Sequence, residues 1–260
     1  MQKPVSTTPA SPRDANLLKF VTIFRTAVFF LVIALLSLPF ALAFPLYRFR
    51  LVSDKLANRA INLYLQMFLV ALRWLCGITW EVRAAENIPH VSCLLASQHQ
   101  SFWENMFFPH IFGNPAFFAK KEIFSYPFAG TLVRRNGHIF TDRTGDLTAA
   151  RDAIDKAVAI SKTGRNILIY PAGTRHGRGH DTMKSGVGLL YTRLNTPCVP
   201  IRLNTGDVWP AGSWLKYPGH IIIDVLPAIP AGLERLEFMQ LLAQQLDLKP
   251  PKNAGLAAVT

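Results

Sequence analysis

The chain has 260 residues and a mass of 29.0 kDa, enough for one catalytic domain with a real core plus an appended segment. Half of its residues are hydrophobic, its net charge is +12 and its mean hydropathy is +0.21, a greasy and basic balance that draws a protein to polyanionic surfaces. No recognisable module gathers the Lys and Arg residues with aromatic platforms as nucleic-acid binding requires, so the balance points to an anionic membrane leaflet and no nucleic acid is expected as a partner.

Residues 1–16 are small and polar, contain Pro4, Pro9 and Pro12, and read as a disordered tail. Residues 17–80 read as a membrane-associated helical anchor. Within it, the 22 residues from Thr26 to Tyr47 carry no charge and as a helix would reach about 33 Å, the thickness of a bilayer core. Pro39 and Pro45 fall in the second half of that run and work against a straight span. The run is too long for a signal peptide and has no convincing cleavage site, so it is expected to be retained. Lys19 and Arg25 flank it on one side and Arg48, Arg50, Lys55 and Arg59 on the other. Basic residues on both flanks leave two readings open, one ordinary transmembrane helix, or a kinked hairpin or in-plane anchor that keeps both flanks in the cytoplasm. A second apolar stretch, Ile61 to Trp80, carries Arg73 in its middle, which suits an interfacial or domain-packed helix better than a second span.

Residues 81–248 alternate between strand and helix patterns. Apolar runs at 93–96, 116–119, 138–140, 167–170, 198–203 and 220–226 are strand-sized, and the stretches between them have helical spacing. After Asp146 the pattern is clearest, with Leu147, Ala150, Ile154, Ala157 and Val158 on one helical face and Arg151, Asp152, Asp155 and Lys156 on the other. The pattern predicts an α/β fold with a central sheet flanked by helices. Residues 249–260 read as a flexible tail.

Chemistry concentrates in three runs. The first, Ser97-Gln98-His99-Gln100-Ser101-Phe102-Trp103-Glu104-Asn105, places a histidine and a carboxylate five positions apart where a strand gives way to a helix, a usual site for chemistry in α/β folds. An imidazole can take a proton from a hydroxyl near neutral pH, and Glu104 could hold the other ring nitrogen and stabilise the imidazolium. The second run is Gly137-His138-Ile139-Phe140-Thr141-Asp142-Arg143, and the third is Tyr170-Pro171-Ala172-Gly173-Thr174-Arg175. Arg143 and Arg175 each follow an apolar strand, and arginine presents a planar fork suited to phosphate oxygens. On the residues alone, Arg143 could equally pair with Asp146, and Gly173-Thr174 could be an ordinary turn.

Other constellations carry less. Cys76, Cys93 and Cys198 are odd in number and lack metal-ligand spacing, which suits buried reduced thiols. His176, Arg178, His180 and Asp181 lie among glycines and suit a basic loop better than a metal site. There is no Gly-x-Ser-x-Gly elbow, phosphate-cradling P-loop or dinucleotide fingerprint.

The order of the three runs, followed by Val199-Pro200-Ile201, resembles the 1-acylglycerol-3-phosphate (lysophosphatidic acid) acyltransferase family. The likeness covers about Cys93 to Ile201. Within the family the chain looks most like a bacterial branch whose first motif is His-Gln-Ser-x-Trp-Glu, matched by residues 99–104, with a later Asn-x-Gly-x-x-Trp-Pro, matched by Asn204 to Pro210. Two positions depart from the common pattern: Glu104 stands where aspartate is usual, and Ala172 where the third motif usually has glutamate.

The resemblance implies a glycerolipid acyltransferase fold, a mixed central sheet flanked by helices, on an N-terminal helical membrane anchor. It implies transfer of an acyl chain from acyl-carrier protein or coenzyme A to 1-acyl-glycerol-3-phosphate, giving phosphatidic acid. His99 would be the base and Glu104 its orienting partner, with Lys120, Arg143, Gly173, Thr174 and Arg175 on the acceptor's phosphate side and backbone amides near Gly173 receiving the oxyanion. No metal or resident cofactor is expected, and the catalytic domain is expected on the cytoplasmic face of the inner membrane. Ala172 keeps two other readings open, a different lyso-lipid head group, or a lysophospholipid-binding protein that does not turn over.

Overall fold

The computed structural model describes residues 12–141, 147–175 and 182–251. The chain opens with helix α1, Pro12–Arg48, and helix α2, Asp54–Ala71. Helix α1 takes in residues 12–16, the last five of the segment expected as tail. It also runs unbroken through Pro39 and Pro45, so the chain does not turn back within the uncharged run. Each proline removes only one donor and one intrahelical bond, and the rest of the ladder carries the helix past it. Among the described residues, Asn16–Arg48 is the one helix long and apolar enough to cross a membrane by length and composition.

The hairpin forms instead between α1 and α2, which run antiparallel. Tyr64 meets Ser37 at 2.9 Å, the rings of Phe29 and Phe68 lie 5.3 Å apart, and Arg25 Nε donates to Leu75 O at 2.7 Å. Both ends of the uncharged run are fastened to the rest of the molecule. At one end Phe29 is fully buried and Thr26 Oγ1 accepts from Lys216 N at 3.1 Å; at the other Arg135 donates to Tyr47 O and pairs with Asp54. The stretch around Arg73 packs on the domain through Phe68, Leu69 and Leu72 while Arg73 itself is exposed, as a charged residue inside an apolar stretch predicts.

A π-helical turn, Leu72–Cys76, ends at Gly77, whose φ of +69° stops the helix. Strand β1, Ile78–Arg83, follows at once, inside the stretch expected to be helical as far as Trp80. Gly77 is the reason, because a left-handed residue after a helical turn redirects the chain. A side chain there would also meet Arg25 Nη2 at 3.0 Å and Pro218 Cβ at 3.2 Å.

Six further strands complete the sheet: β2 Leu94–Ser97, β3 Ala116–Lys120, β4 Ile139–Thr141, β5 Ile167–Ile169, β6 Cys198–Leu203 and β7 Gly219–Val225. All six correspond to the apolar runs read from the sequence. The strand order is β1-β7-β6-β2-β5-β3-β4, with every pair parallel except β6 and β7. The helices between them are α3 Trp103–Ile111, α4 Pro127–Arg135, α5 Leu147–Ser161, α6 Gly186–Leu194, the short α7 Thr205–Val208, and α8 Arg235–Leu246.

Successive strand residues face opposite sides, and the two cores follow that alternation. Leu95, Val199 and Ile223 pack with Phe29, Phe68, Phe107 and Phe108 from the hairpin and α3. Leu94, Ala96 and Cys198 pack with Ile154, Leu190, Tyr191 and Phe238 from α5, α6 and α8. Burial of each large apolar side chain contributes roughly 1.5–3 kcal/mol. In α5 the buried stripe is Ala153, Ile154 and Ala157, with Ala150 exposed, a small rotation from the expected face. Lys249, expected in the tail, pairs with Thr182, and Met183 N donates to Lys249 O at 2.8 Å.

Candidate active site

Strands β2, β3, β4 and β5 are parallel, so their C-terminal ends share one edge of the sheet, where ligands bind in open α/β folds. His99 follows β2, Lys120 ends β3, and the Pro171–Arg175 turn follows β5. Neighbouring strands are about 4.8 Å apart, which sets β3 roughly 10 Å from β2 along that edge. Arg143, Asp142 and Asp146, and the basic loop with His176, Arg178, His180 and Asp181, lie outside the described residues.

The link between β2 and α3 is built around Glu104. Its Oε1 accepts from Gln100 N at 2.8 Å and Ser101 N at 2.9 Å, so the carboxylate in the first turn reaches back to the amides before the helix, a variant of the capping box. Thr205 Oγ1 donates to the same oxygen at 2.8 Å. Oε2 is buried and has no hydrogen-bond partner among the described residues. Glu104 is fully buried, and burial pushes its carboxyl up to about 7 against the pull of these donors.

His99 Nδ1 lies 3.9 Å from Glu104 Oε1. That is beyond hydrogen-bond length, and such pairs tighten when substrate binds. The histidine ring stacks on Tyr170, with centroids 3.8 Å apart and planes 11° from parallel. Tyr170 in turn donates to Asn105 Oδ1 at 3.0 Å. Burial, and then the charge of Glu104, hold the Tyr170 phenol well above its ordinary range, while Arg175 pulls it down. His99, Glu104, Tyr170 and Arg175 therefore form one electrostatic cluster.

Tyr170 and Asn105 had no role in the sequence reading, although both stood inside the quoted runs. The signal was position, since Tyr170 is the residue that β5 delivers to the active edge. The later motif also acquires a physical role. Asn204 clasps β7, donating to His220 O at 3.0 Å and accepting from Ile222 N at 2.7 Å. Gly206 N donates to Gln100 Oε1 at 3.1 Å, and a Cβ at Gly206 would meet Gln100 Cβ at 3.2 Å. Trp209 stacks under the Lys216 ammonium at 3.9 Å, which also lies 4.9 Å from the Phe30 ring of α1. The motif thus props up the His99–Glu104 loop and ties it to the hairpin.

The third run forms a turn in which Gly173 N donates to Tyr170 O at 2.8 Å and Lys184 N to Pro171 O at 2.8 Å. The Gly173 amide is therefore engaged within the turn, which removes it as an oxyanion donor in this arrangement. Ala172 is buried, Thr174 half-buried and Arg175 exposed; Lys120 is exposed at the end of β3. Among the described residues no group of three or more His, Cys, Asp or Glu side chains could hold a metal ion. All three cysteines are buried and free, with burial pushing Cys76 up to about 11 and Cys93 up to about 12.

The Acyltransferase family model matches residues 79–204, which span β1 to the start of the Asn204 motif. The 1-acyl-sn-glycerol-3-phosphate acyltransferase of Pseudomonas aeruginosa is 34% identical over 160 residues, 61% of this chain and 62% of that protein. The enzyme of the same name from Borreliella burgdorferi is 31% identical over 164 residues, 59% of this chain and 65% of that one. The matched region thus spans just under two thirds of either relative. The crystal structure of the 1-acyl-sn-glycerophosphate acyltransferase PlsC from Thermotoga maritima shares the fold, with a TM-score of 0.68 at 22% identity over 88% of this chain and 94% of that one. Over residues 79–204 the chain is therefore similar to the Acyltransferase family, and it is similar in sequence to two enzymes named 1-acyl-sn-glycerol-3-phosphate acyltransferase and in fold to PlsC.

Proposed function

We propose that the protein transfers an acyl chain from acyl-carrier protein or coenzyme A to the sn-2 hydroxyl of 1-acyl-sn-glycerol-3-phosphate, giving phosphatidic acid for phospholipid synthesis. The observation that carries this reading is the buried Glu104 beside His99 at the active edge, in a chain related to enzymes named for that reaction. His99 takes the hydroxyl proton as the oxygen attacks the thioester carbonyl. The tetrahedral intermediate collapses with cleavage of the carbon–sulfur bond, and the thiolate leaves with the proton held on His99. Glu104 stabilises the imidazolium between those steps. Arg175, Lys120 and Arg143 hold the acceptor's phosphate, and Thr174 adds a hydroxyl donor. Acyl transfer by detergent-purified protein, supplied with each donor, tests the assignment; absence of transfer from both would refute it.

For the membrane we favour the in-plane reading on the cytoplasmic face of the inner membrane. Its support is mechanical: both ends of the uncharged run are fastened to the catalytic domain, so α1 could not cross a bilayer unless that domain crossed with it. Leu31, Leu35, Leu38 and Leu42 are exposed along α1 and supply an apolar face for lipid.

Two expected results follow from the site. Thr205→Val removes a hydrogen bond to the charged form of Glu104, worth about 1.5–3 kcal/mol. The Glu104 pKa then rises from about 7, the acidic limb of kcat/KM moves up by about a pH unit or more, and activity recovers in alkaline buffer. Thr205→Ser should behave as the parent, and an unmoved limb would show that Thr205 does not act through Glu104.

Ala172 bears on the choice between turnover and binding alone. Ala172→Glu places a carboxylate at a buried turn at a cost of about 1–3 kcal/mol in stability. If the missing acid limits catalysis, turnover rises in spite of that cost. Equal or lower turnover, in a variant that still binds lysophosphatidate, removes Ala172 as a reason to read the chain as impaired.

A further inference from the structure

At the closed end of the α1–α2 hairpin a cavity of about 300 Å³ is lined, among the described residues, by Arg48, Arg50, Thr131, Arg134 and Arg135. Arg135 is already committed to Tyr47 O and Asp54, and its guanidinium lies 4.1 Å from the Tyr47 ring centroid. Arg48, Arg50 and Arg134 add three exposed cations around the opening. Helix α4 runs back from the end of β3 toward the start of β4, so Arg134 and Arg135 lie at the opposite edge of the sheet from His99. The cavity is therefore separate from the site described above.

Two observations select the ligand. The first is backbone conformation. Helix α1 ends with Leu51 N donating to Leu46 O at 2.9 Å and Arg50 N to Tyr47 O at 3.3 Å, and Arg50 has φ +58°. Such a helix end usually carries glycine in the left-handed position, and an arginine held there at a cost in strain is a functional signal. The second is the surroundings. Leu42, Leu46, Phe49 and Leu51 are exposed on either side of Arg48 and Arg50, so the cations sit at the border of an apolar surface, where the headgroup layer would lie.

We propose that this arginine cavity binds the phosphate of an anionic membrane phospholipid and sets the closed end of the hairpin on the bilayer. Planar guanidinium groups converging on one opening match the several oxygens of a phosphate. Exposed leucine and phenylalanine side chains beside them accept the first methylenes of the lipid. The site needs no acyl transfer and is read by membrane binding alone.

The test is binding of the full chain to phosphatidylcholine vesicles with and without phosphatidylglycerol. The pair Arg50→Gln and Arg134→Gln is compared with Arg151→Gln and Lys162→Gln, which remove the same charge from exposed positions in α5 and just after it, on the opposite face. The cavity pair should lose about tenfold or more in affinity for phosphatidylglycerol vesicles, and the α5 pair much less. Equal losses would show a general field rather than a site and overturn the proposal. Arg50→Gly keeps the fold in question visible: relief of the left-handed arginine should raise the melting temperature by about 2–4 °C while vesicle affinity falls. Calorimetry with glycerol 3-phosphate separates the sources of phosphate. Soluble binding that vanishes in the cavity pair, with vesicle affinity unchanged, would assign the cavity to a soluble phosphate and overturn the lipid reading.

Discussion

Replacement of His99 by alanine is expected to lower acyl transfer by about 10²–10⁴, the contribution a positioned general base makes. The geometry allows that loss to be read as chemistry. His99 stacks on the face of Tyr170 and approaches Glu104, whereas the loop that holds it is fixed by the Glu104, Gln100 and Asn204 networks. Loss of one stacked ring costs about 0.5–1.5 kcal/mol, small against the stability of a domain this size. Lysophosphatidate should still bind, because Arg175 and Lys120, the residues proposed to hold its phosphate, are untouched. The measurement is turnover with both thioester donors beside calorimetric binding of the acceptor. Parent-like turnover would remove His99 as the base, and with it the mechanism.

The parts of the fold that alternate strongly were legible in the sequence. Runs such as 198–203 and 220–226 are short, apolar and bounded by turn residues, and each became a strand. The misreadings came where a local rule met a stronger one. The apolar stretch 61–80 contains a helix, a π-helical turn and a strand, and periodicity cannot separate a buried helix end from a buried strand; Gly77 was the available marker. Proline in the uncharged run suggested a break that the rest of the helical ladder overrode.

At the site, sequence placed His99 and Glu104 where a strand gives way to a helix and Arg143 and Arg175 just beyond apolar strands, while Lys120 came only with the family resemblance. Sequence could not show which groups hold Glu104. Thr205 lies 101 positions away from it, and only β6 running beside β2 brings them together. Nor could it show that Gly173 N closes its own turn, since turn hydrogen bonds depend on coordinates rather than on residue type.

Replacement of Glu104 by glutamine is expected to separate the catalytic and structural roles of that buried acid. The amide oxygen can still accept from Gln100 N, Ser101 N and Thr205, so the loop keeps its bonds. A neutral amide cannot stabilise the imidazolium, and turnover should fall by about 10²–10⁴ above pH 7, where the parent's Glu104 is ionised, and by less in acid, where the parent's is neutral too. Stability should respond in a different sense. In the folded protein the Glu104 pKa is raised from 4.5 to about 7, so the native state holds this proton more tightly than the unfolded chain does. Its contribution is therefore complete below about pH 4.5 and is lost as pH rises through about 7. At about 1.4 kcal/mol per unit the loss is on the order of 3 kcal/mol, or roughly 6–12 °C in melting temperature. Glutamine does not titrate, so this part of the pH dependence should vanish from the variant. The amide nitrogen takes the place of Oε2, which has no hydrogen-bond partner among the described residues, so the variant starts from a lower stability in acid. The quantity to compare is the change in melting temperature between pH 5 and pH 8, parent against variant. If both fall by the same amount, Glu104 does not titrate in that window, and a carboxylate already ionised in acid would have to be the group beside His99.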